Sequence, residues 1–91
     1  MSPLSDISNQ VAMVTGGAAG IGLACAERFA EEGARVAIVD RDEARGEAAA
    51  QRLRDAGGEV LFLAGDCTSE DDMAAAVDTI VARWGRLDIL A

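Results

Sequence analysis

Val11-Ala12-Met13-Val14-Thr15-Gly16-Gly17-Ala18-Ala19-Gly20-Ile21-Gly22 is the stretch on which the reading of the fold turns. It opens with a continuous apolar run, Val11 to Val14 closed by Thr15. A central parallel strand needs such a run, because helices cover both of its faces. The run stops at a glycine-rich turn, and a helical segment follows from about Ile21 to Glu32. Its apolar positions Ile21, Cys25 and Phe29 recur at four-residue spacing, with Ala24 beside them. Gly33 then ends the helix as a residue that can adopt positive φ.

The same pattern repeats downstream. Val36-Ala37-Ile38-Val39 reads as a second buried strand ending at Asp40, and residues 42–56 are alanine- and charge-rich and favour helix. Val60 to Ala64 is a third strand ending at Gly65-Asp66. Thr68 or Ser69 can cap a third helix whose apolar stripe is Met73, Val77, Ile80, Val81 and Trp84, with Gly85 at its end. Leu87 to Ala91 begins a fourth strand. Strands alternating with helices imply βαβ units, hence parallel pairing and right-handed crossovers. The expected fold is α/β, a doubly wound parallel sheet of strand order 3-2-1-4 with helices on both faces, truncated after the fourth strand. Residues 1–8 read as a polar leader and residues 9–91 as one partial domain.

Composition narrows the chemistry. The chain has 91 residues and a formal net charge of −8, and all 8 of its basic residues are Arg. With no Lys, His or Tyr, it offers no imidazole base, Schiff-base lysine or phenolic acid. Alanine contributes 19 residues and aromatic side chains only Phe29, Phe62 and Trp84, so the core is made of small groups suited to close helix-on-sheet packing. The acidic balance argues against nucleic acid or an anionic membrane as partner. No apolar run approaches the length of a spanning helix. Met1 to Gln10 has neither the basic nor the apolar region of a secretory signal. Cys25 and Cys67 fit no metal-ligand spacing and read as free thiols, small buried hydrophobes in a reducing cytoplasm.

The glycine-rich turn is the first candidate site. Side chains would block a pyrophosphate from the backbone, so glycines are needed where it touches, and the helix N-terminus behind them offers free N–H donors and a partial positive charge. Gly22 stands where a Cβ would hold that helix off the first strand. The plain alternative is a tight turn that binds nothing. Asp40, 18 residues after Gly22, stands near the spacing of an acid that accepts the adenosine 2′- and 3′-hydroxyls and repels a 2′-phosphate, which predicts NAD over NADP. Arg41 beside it is a solvated surface charge or a partner for a 2′-phosphate. Asp66 can accept an adenine amino group with Cys67 lining the base pocket, or simply start a turn.

Taken together, Thr15-Gly16 to Gly20-Ile21-Gly22, Asp40 after Val36-Ala37-Ile38-Val39, Gly65-Asp66-Cys67-Thr68 and Gly85 to Leu90 make the chain resemble the short-chain dehydrogenase/reductase family over residues 8–91. The resemblance implies an NAD(P)-binding Rossmann half and an oxidoreductase that moves a hydride between NAD and an alcohol or carbonyl. It implies Gly16, Gly20, Ile21 and Gly22 at the pyrophosphate, Asp40 on the ribose, and Asp66 with Cys67 against adenine.

In that family an Asn-Asn-Ala-Gly turn follows the fourth strand, and a Ser and a Tyr-x-x-x-Lys pair further on carry proton transfer. This sequence stops at Ala91 and has no Tyr or Lys to inherit those roles. No catalytic residue and no metal ligand is therefore expected in it. The expectation is an N-terminal cofactor-binding portion of an oxidoreductase, inactive by itself. The alternative is a non-catalytic half-Rossmann module for nucleotide binding or scaffolding. A fourth strand at the edge, with side chains of Val11–Val14 and Leu87–Leu90 exposed on a partly covered face, would invite self-association as a homo-oligomer through that strand or that face.

Overall fold

In the computed structural model, which describes residues 7–91, strands and helices alternate throughout. They are β1 (Val11–Thr15), α1 (Gly20–Glu31), β2 (Arg35–Asp40), α2 (Glu43–Asp55), β3 (Val60–Ala64), α3 (Glu70–Trp84) and β4 (Ile89–Leu90). The four strands form one sheet of order β3-β2-β1-β4, parallel at every pairing. β1 and β2 run in register from Val11 against Arg35 to Thr15 against Val39. The doubly wound architecture and its strand order are as the sequence predicts. Of the polar leader, residues 1–6 lie outside the described residues. Asn9 and Ser8 beyond them fasten to the end of α1, through Gly33 O at 3.3 Å and Glu32 O at 3.3 Å.

The period-2 alternation of the strands divides the apolar side chains between two layers. Val14, Val36, Ile38 and Val60 face α1 and α2, where they meet Ala26, Ala49, Ala50 and Leu53. Val11, Met13, Ala37 and Val39 face α3, where they meet Ala76 and Ile80. β1 and β2 are thus buried on both sides, which is why their sequences are apolar without interruption. Side-chain caps start two of the helices. Asp42 accepts the Arg45 amide at 3.0 Å, and Ser69 accepts the Asp72 amide at 3.2 Å.

Three expectations about exposure need correction. The β1 side chains are not exposed: Val11 to Val14 are buried, because α3 lies across β1 as well as β2. Only the far end of β4 stands open, with Leu90 at 69% exposure. Val81 does not belong to the stripe of α3. Met73, Ala76, Val77, Ile80 and Trp84 hold the inward face, which leaves Val81 turned to solvent at 43% exposure. Nor are both cysteines core residues, since Cys25 is half-buried beside α1's packing face and Cys67 is exposed.

Candidate functional site

The chain reverses direction across the sheet at β1: β2 and β3 lie on one side of it, β4 on the other. In sheets of this kind the crevice at the carboxyl ends of the strands, where the order switches, is where ligands bind. The loop between β1 and α1 sits at that point. Thr15, at its start, donates its amide and its hydroxyl to the Ala91 carbonyl, at 2.9 and 3.1 Å, and so ties the end of β1 to the end of β4. Gly16 donates its amide to Val39 O at 2.8 Å, which ties the same loop to β2 on the other side.

Within the loop the glycines have separate reasons. Gly16 and Gly20 sit at φ +66° and +59°, left-handed backbone that a side chain disfavours, and at both a Cβ would point into open space. Gly22 is required by packing: a Cβ there would run into the carbonyl of Gly16. The expectation that Gly22 lets the helix close on the first strand is met one residue beyond that strand, on the loop backbone itself. Ile21, expected as an apolar contact of α1, is instead 86% exposed at the mouth of the loop. Leu23, Ala26 and Ala30 take the inward positions in its place.

The helix behind the loop starts without a side-chain cap. Its N-cap, Ala19, has extended backbone and no side chain able to cap, and its first turn carries no acid. α2 and α3 have both a capping side chain and acids in the first turn. The first amides of a helix have no intrahelical acceptor. Among the described residues those of Gly20, Ile21 and Gly22 meet no other acceptor either. These amides and the positive end of the helix dipole lie next to Gly16 and Gly20, which present no side chain to an incoming anion. The residues present therefore fit a diphosphate.

Asp40 ends β2 with its carboxylate turned to this loop. Oδ2 accepts the Ala18 amide at 3.2 Å and Oδ1 accepts the Asp42 amide at 3.0 Å. A carboxylate has about four lone-pair positions, so capacity remains on both oxygens. Asp66, at the end of β3, uses Oδ1 for a local turn, accepting the Thr68 amide at 2.9 Å and the Thr68 hydroxyl at 2.7 Å. Those bonds, the hydroxyl's first, hold its carboxyl below the usual aspartate range, with the Arg41 guanidinium adding to the effect. The turn reading of Asp66 is thus what the geometry displays, with Oδ2 left for anything beyond it. Asp66 also donates its amide to Asp72 Oδ2 at 2.9 Å, fixing the start of α3 to the sheet.

Cys67 is not brought together with Asp40 or the glycines: neither Asp40 nor any residue from Gly16 to Gly22 lines the cleft in which it sits. It lines an open cleft of about 590 Å³ with Met13, Thr15, Met73, Val77 and Leu90, on the α3 side of the switch point. Two residues have roles that the sequence motifs containing them do not reveal: Ala18, whose amide meets Asp40, and Asp88, whose carboxylate holds β4. Neither carries a spacing cue, since an alanine amide is invisible in sequence and Asp88 resembles any strand-flanking acid. Among the described residues no three potential metal ligands come together, and no helix is long and apolar enough to cross a membrane.

The likeness to known proteins extends along nearly the whole chain. The family model of the short chain dehydrogenases matches residues 10–91. Tropinone reductase-like 1 of Erythroxylum coca is 44% identical over 88 residues, covering 97% of this chain and 31% of that protein. The 3-hydroxyacyl-CoA dehydrogenase type-2 of Drosophila melanogaster is 45% identical over 83 residues, covering 91% of this chain and 31% of that protein. The crystal structure of gox2181 superposes with a TM-score of 0.90 at 44% identity, over 96% of this chain and 34% of that one. That of hydroxysteroid dehydrogenase from Escherichia coli gives 0.90 at 30% identity, over 96% and 36%. The chain spans about a third of the length of the relatives it matches. A family model that fits from Gln10 to Ala91, with the glycine loop and sheet order to match, leaves one assignment: the chain belongs to the short chain dehydrogenase family.

Proposed function

We propose that this chain binds the adenosine diphosphate half of a nicotinamide dinucleotide, NAD in preference to NADP, for an oxidoreductase acting on an alcohol or carbonyl. The observation that carries the reading is the pairing of an uncapped, acid-free helix N-terminus with a carboxylate aimed at the same loop. The amides of Gly20, Ile21 and Gly22 would take the diphosphate oxygens, and Gly16 keeps that approach clear of side chains. The free lone pairs of Asp40 would accept the ribose 2′- and 3′-hydroxyls, and its charge would repel a 2′-phosphate. Asp66, through Oδ2, and Cys67 would border the adenine. The bound nicotinamide supplies the hydride acceptor or donor, and it is the family's chemistry rather than any group of this chain that calls for it.

Titration calorimetry tests this directly. NAD is expected to bind more tightly than NADP, and Asp40→Ala to erase the difference. Equal affinities for the two nucleotides in the unmodified chain would defeat the assignment.

A second reading is favoured by composition. With no Tyr, Lys or His among 91 residues, the chain lacks the phenol, amine and imidazole that could pass a proton to or from a substrate oxygen. On that ground these residues form a nucleotide-binding module whose proton chemistry lies elsewhere. Turnover of any member of an alcohol panel by this chain alone with NAD would overturn it. Self-association belongs to the same proposal, supported by the exposed Leu90 at the end of β4 and the apolar cleft beside it. A single monomeric species in sedimentation at micromolar concentration would count against it. The free cysteines, Cys67 exposed among them, support a reducing, cytoplasmic setting.

A further inference from the structure

We infer that Asp40 is also a positioning residue, one that holds the glycine loop in its binding shape before any ligand arrives. This inference rests on the nucleotide reading above and extends it from the ribose to the loop.

Asp40 is the one side chain among the described residues that hydrogen-bonds a backbone amide between Gly16 and Gly22. The loop is otherwise anchored by backbone at its entry, through Gly16 N to Val39 O at 2.8 Å, and by close packing at its exit, where Gly22 meets Gly16. Between those points the Ala19 carbonyl accepts the Leu23 amide at 3.2 Å as the first bond of α1, and the one tie to a side chain is the Ala18 amide on Asp40 Oδ2, at 3.2 Å. Ala18 is itself buried, so its amide has little access to water as a substitute. The carboxylate is in turn held by the Asp42 amide at 3.0 Å, which fixes its orientation at the end of β2. The amide thus donates to a charged oxygen where neither water nor a second protein acceptor stands ready to replace it.

The consequence concerns specificity. Removing the acid to admit a 2′-phosphate would also release Ala18, so nucleotide preference and loop order are coupled through one side chain. A neutral acceptor of the same shape, Asn, would relieve the repulsion and keep the anchor.

Two variants separate the roles, since Asp40→Asn and Asp40→Ala both lose the charge and only the second loses the acceptor. The first measurement is amide hydrogen exchange by NMR on the full chain without ligand. Ala18 is expected to lose protection in Asp40→Ala and to keep most of it in Asp40→Asn, with Gly16 protected in all three proteins as the control for folding. The second is binding of 2′,3′-dideoxyadenosine 5′-diphosphate, which has no hydroxyl for residue 40 to grip. Asp40→Ala is expected to bind it roughly tenfold more weakly than Asp40→Asn. Unchanged Ala18 exchange in Asp40→Ala, or equal affinity of the two variants for the dideoxy nucleotide, would overturn the inference. If the unmodified chain binds neither NAD nor ADP, the nucleotide reading fails, while the exchange of Ala18 still decides whether Asp40 anchors the loop.

Discussion

Val11 and Asp88 hold each other by two hydrogen bonds: Val11 donates its amide to Asp88 Oδ2 at 2.8 Å, and Asp88 donates its amide to Val11 O at 2.9 Å. β4 contributes only two residues to the sheet, so this reciprocal pair at its entry and the Thr15–Ala91 bonds at its exit keep it beside β1. Arg86 completes the arrangement with two bonds to the Asp88 carboxylate, each 2.8 Å. Those bonds first, and the Val11 amide second, hold the Asp88 carboxyl below the usual aspartate range. A lowered folded-state pKa stabilises the fold above the unfolded value of about 3.9, and the contribution is lost as pH falls through the folded value. Asp88→Asn is therefore expected to flatten the acid limb of the stability curve below about pH 4 and leave its shape near pH 7 unchanged. Urea midpoints measured from pH 2 to 7 check this, and an acid limb identical to that of the unmodified chain would refute it.

The loop makes a sharper claim about two of its glycines. Gly22→Ala would press a methyl group into the carbonyl of Gly16, which cannot yield because its own amide is bonded to Val39 O. A cost of about 3 kcal/mol is expected, at the upper end for an overpacked site. Gly20→Ala puts its Cβ in open space and bears only the left-handed backbone penalty, about 1 kcal/mol. Chemical denaturation of the two variants distinguishes them, and equal losses would show that packing of Gly22 is not what fixes the loop.

The packing of α3 is open to the same kind of test. Ile80 is fully buried between α3 and the sheet, whereas its neighbour Val81 faces solvent. Ile80→Ala is expected to destabilise by about 2–4 kcal/mol. Val81→Ala is expected to change stability by about 0.5 kcal/mol or less. A large loss from Val81→Ala would mean that this face of α3 is covered in solution.

β1 and β2 are legible because burial on both faces leaves an unmistakable apolar run; β3, half-buried at the sheet edge, is equally apolar, and β1 and β3 have the bounds expected of them. Helix faces are less so, for a reason particular to this composition. Ala26 fills the innermost position of α1 and Ala76 is buried beside Ile80 in α3, and alanine is too small to stand out in a hydrophobic pattern, so the larger Ile21 and Val81 mislead about which side faces inward. At the site, Asp40 and the glycines could be read from spacing. What holds them could not, because the partners of Asp40 and Thr15 are the backbone groups of Ala18 and Ala91, and backbone groups are the same in every sequence.

The start of α1 lacks a side-chain cap. Ala19 has the extended backbone of an N-cap, with φ −159° and ψ 166°, and lacks only an acceptor. Ala19→Asp would supply one, and a negative charge at the positive end of the helix, so the folded chain should gain about 1 kcal/mol. The same carboxylate would occupy the amides proposed to receive a diphosphate and repel that anion. Thermal unfolding should therefore shift upward while NAD affinity, by calorimetry, falls by roughly tenfold or more. The opposite signs are the point of the test. A helix end that serves only as a turn would accept the cap as pure gain, whereas one shaped for an anion trades ligand for stability. An Ala19→Asp chain that is both more stable and unimpaired in NAD binding would place the diphosphate somewhere other than this helix.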